Sequence, residues 1–130
     1  MPAVLKIDRR RRLVRSTFYG ELSGAELLAH AQSIRSDPEF DPSFDELVDF
    51  SEVKLALVSE ATLAALAGSK SLYSDSSLHV IVAPEDMPHE LATRYQVMAR
   101  ATRPNLYVVR NVEEAYELLR RRTPANDSKS

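Results

Sequence analysis

The chain contains no cysteine, which excludes disulfides, thiolate metal sites and cysteine nucleophiles and suits a reducing compartment. Glycine is scarce as well: the three present, at positions 20, 24 and 68, frame neither a phosphate-cradling loop nor a nucleophile elbow. No window reaches the ~20 apolar residues of a membrane span. The opening MPAVLKIDRRRR lacks the apolar core of a secretory signal. Nor is one sign of charge in excess. The 17 Lys and Arg face 19 Asp and Glu, and the net charge of -2 exerts no global pull on nucleic acid or anionic lipid. These absences predict a soluble cytoplasmic protein with no cofactor and no nucleic-acid or membrane partner.

What is present is enough apolar residue for a core, 44% of 130 residues, on the scale of one domain. That domain is expected over residues 1–122, followed by a disordered tail, TPANDSKS, at 123–130. Val4–Asp8 and Leu13–Tyr19 are short β-rich runs joined by Arg9–Arg12, which predicts an antiparallel hairpin near a sheet edge. Ser23 with Glu26 three residues on is a capping-box pattern, opening a helix whose apolar stripe is Leu27, Leu28, Ala31 and Ile34. Leu47–Phe50 predicts the next strand, ending in an acid and a hydroxyl, and a second helix follows from about Ser59. The run LHVIVA, Leu78–Ala83, has the continuous apolar character of a central parallel strand covered on both faces. A third helix over about 88–102 aligns Leu91, Tyr95, Met98 and Ala99, ahead of a strand at Leu106–Val109. Asn111 caps a last helix with Val112, Ala115, Tyr116 and Leu119 inward. The order β-β-α-β-α-β-α-β-α predicts a single α/β domain with a mixed, mostly parallel sheet covered by helices.

Chemistry is harder to find. His30, His79 and His89 fall on a helix, a strand and a loop without metal-ligand spacing, so no metal site is expected. Asp75, Ser76 and His79 crowd one short segment and make no triad. The run Arg9–Arg12 has no interleaved aromatic residue and reads as a solvated turn rather than a nucleic-acid site. With no set of acid, base and nucleophile, an enzyme is not expected.

Four pieces carry a family likeness: Tyr19-Gly-Glu-Leu-Ser23 after the hairpin, Leu47-Val-Asp-Phe-Ser-Glu-Val53, Leu91-Ala-Thr-Arg-Tyr-Gln96, and Val109-Arg-Asn-Val-Glu-Glu-Ala115. By their order and spacing, Val4 to Leu119 resembles the STAS family, in particular the SpoIIAA-like branch of small bacterial proteins related to anti-sigma-factor antagonists. In those antagonists the strand is followed by an Asp-Ser-Ser-Gly segment whose serine is phosphorylated by a partner kinase. Here the aligned residues are Leu57-Val58-Ser59-Glu60, so the phosphoacceptor motif is degenerate. A one-residue shift puts Ser59 in the acceptor role, with Glu60 beside it repelling a phosphate, whereas the simpler reading makes Ser59 a helix N-cap.

The resemblance implies a non-enzymatic regulatory or protein-interaction module. It would dock a regulatory kinase or anti-sigma-like partner through the surface from Ser51 to Leu63, and an edge hairpin offers a route to a homodimer. Asp49 and Ser51 are expected at the rim beyond the strand ends, where α/β sheets bind ligands, or else tying down a turn. Arg94 and Tyr95 match an Arg-aromatic pair of the same branch, in a binding role or as an ion pair beside a packed ring. STAS domains also share their general architecture with lipid-binding SEC14-type domains. The alternative is therefore a carrier or sensor of a small apolar ligand, with a cavity lined by residues such as Phe50, Met87, Leu91 and Tyr95.

Overall fold

The computed structural model describes residues 3–127, with side chains from 3 to 121. Five strands, β1 Ala3–Asp8, β2 Leu13–Ser23, β3 Asp45–Leu57, β4 His79–Val82 and β5 Leu106–Val109, lie in one sheet in the order β1-β2-β3-β4-β5. The hairpin strand β1 runs antiparallel to β2, and the remaining neighbours are parallel. Helices α1 Gly24–Ser36, α2 Glu60–Gly68, α3 Asp86–Met98 and α4 Val112–Asp127 complete the expected α/β order.

The sequential strand order decides where the helices go. Each parallel strand is laid beside its predecessor in the same direction, so right-handed crossovers put α1, α2 and α3 on one face of the sheet. Phe18, Leu22, Phe50, Ile81, Ala92 and Ala99 form the core on that face, with Leu27, Leu91 and Tyr95 packed against it. Among the described residues only α4, which follows the last strand, covers the other face, where Ala115 and Leu119 close over Leu13, Leu47, Val80 and Val82. All four residues of β4 are buried, the consequence of helices on both sides.

The capping box at α1 is formed: Ser23 Oγ accepts the Glu26 N–H at 3.2 Å and Glu26 Oε1 accepts the Ser23 N–H at 3.0 Å. Gly24 begins that helix against the start of α2, where a Cβ would stand 2.7 Å from Thr62 Cγ2, so the two helix starts approach this closely only over a glycine. At the far end, Asn111 Oδ1 accepts the Glu114 N–H at 2.8 Å, the expected cap of α4. No helix among the described residues is long and apolar enough to cross a membrane.

Several boundaries differ from the sequence reading. The strand expected at Leu47–Phe50 is the middle of a 13-residue strand. Register shifts between Thr17 and Tyr19 and between Gly20 and Glu21, the latter beside Gly20 at φ +68°, let β2 and β3 continue together as a ribbon beyond the last β4 pairing, Asp49 with Val82. Leu28 is not part of the inner stripe but 56% exposed, because Leu27, His30, Ala31 and Ile34 occupy the inward arc of α1. Helix α3 starts earlier than expected, at Asp86, since Pro88 in the first turn has no amide to lose there. Helix α4 reaches Asp127 and so enters the segment expected as a disordered tail, whose last residues, 128–130, lie outside the described residues.

Candidate functional site

The six residues singled out from sequence fall in three separate places. Asp49 and Ser51 sit within β3 where the β2–β3 register slips, not beyond a strand end. Asp49 Oδ1 accepts the Ser51 N–H at 2.8 Å and its Oγ–H at 2.5 Å, while Asp49 Oδ2 lies 3.9 Å from Arg15 Nη2. Arg15 Nη1 in turn donates to Tyr116 Oη at 2.8 Å, which places this cluster on the α4 face. Ser59 is the N-cap of α2, its Oγ accepting the Thr62 N–H at 3.1 Å and donating to Thr62 Oγ1 at 2.9 Å. Glu60 and Arg94 form an exposed ion pair between α2 and α3. Tyr95 points the other way, into the interior, where burial pushes its hydroxyl up to about 12.

The interior into which Tyr95 points is a cavity of about 160 Å³ between the sheet and helices α1–α3. Leu27, Ala31 and Ile34 of α1, Leu63 and Leu66 of α2, and Leu91 and Ala92 of α3 form its roof, and Phe18, Leu22, Val48, Phe50 and Ile81 its floor. Of the four residues expected to line such a space, Phe50, Leu91 and Tyr95 do. Met87 does not, being 40% exposed in the first turn of α3.

One end of this apolar space is polar. Glu46 and His79 are cross-strand partners at the start of β3 and β4, so both side chains leave the sheet on the same face. His79 Nδ1 lies 2.8 Å from Glu46 Oε1. An ionised carboxylate can only accept, which fixes Nδ1 as the protonated nitrogen. Burial alone would raise the Glu46 pKa, but the hydrogen bond and charge of His79 and the positive charge of Arg103 outweigh it and hold the carboxyl below its ordinary value. The Glu46 side chain is still 19% accessible, against 4% for His79. Glu46 is one of the cavity-lining residues.

Tyr73 stands beside this pair in the loop between α2 and β4, its ring edge-on to Phe40 at 5.2 Å and to His79 at 4.9 Å. It is 8% exposed and lines the cavity with its ring, while its hydroxyl is enclosed and makes no well-formed hydrogen bond. Burial first, then the neighbouring Glu46 charge, push its pKa far above the phenolic range, so the hydroxyl keeps its proton. The Glu46 carboxylate is close enough to act on this hydroxyl by charge and by hydrogen bonding, although the geometry falls short of a well-formed bond.

Arg103 closes the same end. Its Nη1 donates to the Ser69 carbonyl at 3.2 Å and to Thr102 Oγ1 at 2.9 Å, anchoring the guanidinium at the C-terminus of α2, where helix carbonyls favour a cation. His30 enters from α1 with Nε2 2.6 Å from Ser16 Oγ; burial lowers its pKa, against a weaker opposing effect of Glu46, and keeps the imidazole neutral. Ser16 is fully buried beneath that ring and has no surface on the cavity, so the Ser16–His30 contact is no exposed nucleophile and base.

Sequence reasoning passed over Glu46, Tyr73 and Arg103, and weighed His79 only for a metal site and a triad, giving it neither role. The one signal for them was polar residues opening otherwise apolar strands, Glu46 before LVDF and His79 within LHVIVA. Among the described residues no group of His, Asp or Glu is arranged to hold a metal ion. Compared with protein-family models, curated proteins and solved structures, the chain finds no match.

Proposed function

We propose that the protein is a carrier or sensor of a small apolar molecule, held between the sheet and α1–α3, and that it works in the cytoplasm, as its cysteine-free sequence suits. The observation behind this reading is the space of about 160 Å³, apolar over most of its lining and ending on the Glu46–His79 pair. Interiors built only for the fold pack to crystal-like density and pair their buried polar groups. Ligand sites are instead mostly apolar with a few convergent polar groups. Native and then denaturing mass spectrometry on protein purified from its own host tests this: a small adduct present in the first spectrum and lost in the second is the expected result. A bare chain in both, with no small apolar compound shifting the NMR signals of Phe50, Leu91 or Tyr95, overturns it.

A second reading, the regulatory interaction module that the STAS resemblance implies, draws on a different observation. Leu55 and Leu57 are 45% and 57% exposed at the end of β3, just before the exposed cap Ser59 and the Glu60–Arg94 pair. Neighbouring exposed apolar side chains favour a protein partner. A phosphate increment mapping to Ser59, or a host protein retained by the parent chain and lost on Leu57→Asp, would favour this reading; neither result would remove it.

A further inference from the structure

We propose that the cavity takes an apolar monocarboxylate the size of a single ring, with its carboxylate seated on Arg103. The inference rests on the ligand-binding reading and names the chemistry of its ligand. Size follows from the volume: about 160 Å³ is close to that of apolar cavities that admit benzene.

The charge follows from what each polar group at the closed end already holds. Glu46 is answered, with His79 Nδ1 2.8 Å from its Oε1 and the Tyr73 hydroxyl beside it. Arg103 has no such counter-ion: Glu46 acts with it by charge but pairs with His79 instead. The guanidinium's Nη1 serves three acceptors, the Ala67 and Ser69 carbonyls at 3.4 and 3.2 Å and Thr102 Oγ1 at 2.9 Å, and all three are neutral. Its Nε and Nη2 have no hydrogen-bond partner among the described residues. Arg103 lines the cavity next to Tyr95, its Cζ 5.8 Å from the centroid of that ring. Adjacent N–H groups of a guanidinium make the planar fork that holds a carboxylate on two parallel hydrogen bonds.

Other head groups fit less well. An ammonium would be repelled by the Arg103 cation, and a neutral hydroxyl would leave that charge without a counter-ion. A dicarboxylate would carry its second charge among Leu22, Leu27, Phe50 and Leu91. Glu46 opposes a second anion in the site, and the His79 N–H directed at its Oε1 offsets part of that opposition.

Toluene, benzoate and benzylamine share one ring and differ in charge. Calorimetric titration of each into the parent protein and into Arg103→Gln separates the possibilities, since the glutamine amide can still donate to carbonyls but carries no charge. The expected result is benzoate binding the parent at least about tenfold more tightly than toluene, ~1.4 kcal/mol. Arg103→Gln should bring that ratio to near one and leave the toluene affinity unchanged, which shows the cavity intact. Should this variant fail to fold, the NMR signal of the Arg103 Nε–H in the parent decides, shifting with benzoate and staying in place with toluene. A signal that ignores benzoate, or an undiminished preference in Arg103→Gln, would remove Arg103 from the site. Equal affinities for benzoate and toluene would overturn the carboxylate and leave the ligand-binding reading standing. Benzylamine binding more tightly than benzoate would overturn the sign of the charge. No binding of any of the three would overturn both this inference and the reading beneath it.

Discussion

The two ends of the parallel strands are built differently. At their C-terminal ends the chain turns at once into a helix, through the short connections 58–59, 83–85 and 110–111, and the charged groups there are exposed pairs, Glu60 with Arg94 and Asp86 with Arg110. At their N-terminal ends the longer segments 37–44, 69–78 and 99–105 fold over the sheet, fastened to one another by Ser77 Oγ donating to the Pro42 carbonyl at 3.0 Å and by Asp45 Oδ1 accepting the Leu78 N–H at 2.9 Å. Beneath them lie Glu46 and His79, with Tyr73 of the second segment packed against His79. Open α/β sheets commonly place ligands beyond the C-terminal ends, where Asp49 and Ser51 were expected to serve. Here the short loops leave that end little to build with, and the long loops supply an end wall at the other through Ser71, Leu72, Tyr73 and Arg103.

The contrast can be broken most sharply at the buried pair. His79→Leu leaves Glu46 without its hydrogen-bonded partner, and urea unfolding should show a loss of about 3–5 kcal/mol. A loss below ~1 kcal/mol would make the pair equivalent to a surface contact. Acid probes the same end. Burial lowers the His30 pKa from 6.5, so the unfolded chain binds that proton more readily and stability falls as pH drops below 6.5. The depressed Glu46 pKa adds a contribution that is fully present above 4.5 and lost as pH falls through the folded-state value. Melting temperatures taken from pH 8 to pH 4 should therefore decline from near 6.5 downward, and Glu46→Gln should flatten only the lower part of that decline.

Two smaller effects sharpen the comparison. In the ligand-free protein, Tyr73→Phe removes an unpaired buried hydroxyl and should raise stability by about 1 kcal/mol. A loss instead would mean that the hydroxyl has an acceptor in the fold. At the open end, Glu60→Ala should change stability by no more than about 1 kcal/mol, and less in high salt, because both partners are solvated. A salt-independent loss larger than this would place Glu60 among the buried charges.

The order of elements, the capping box of α1, the caps Ser59 and Asn111, and the inward faces of α3 and α4 were legible in the sequence, because each depends on neighbours within a few residues. Helix-period stripes and cap side chains act locally and leave a local record. The length of β3 was not legible. Leu55 and Leu57 look like the approach to a helix, and only pairing with Glu21 and Ser23 of β2 holds them extended. The polar end of the cavity was out of reach for the same reason. Glu46 and His79 are 33 positions apart and meet only because β3 and β4 settle in one register, which moves a side chain to the opposite face if shifted by one residue. The sequence by itself determined an α/β chain with its helices in place and no local catalytic motif. Tertiary structure alone decided that three helices would leave a space above the sheet and that a carboxylate, an imidazole and an unpaired hydroxyl would face one another at its end, because voids and buried contacts belong to packing between distant segments.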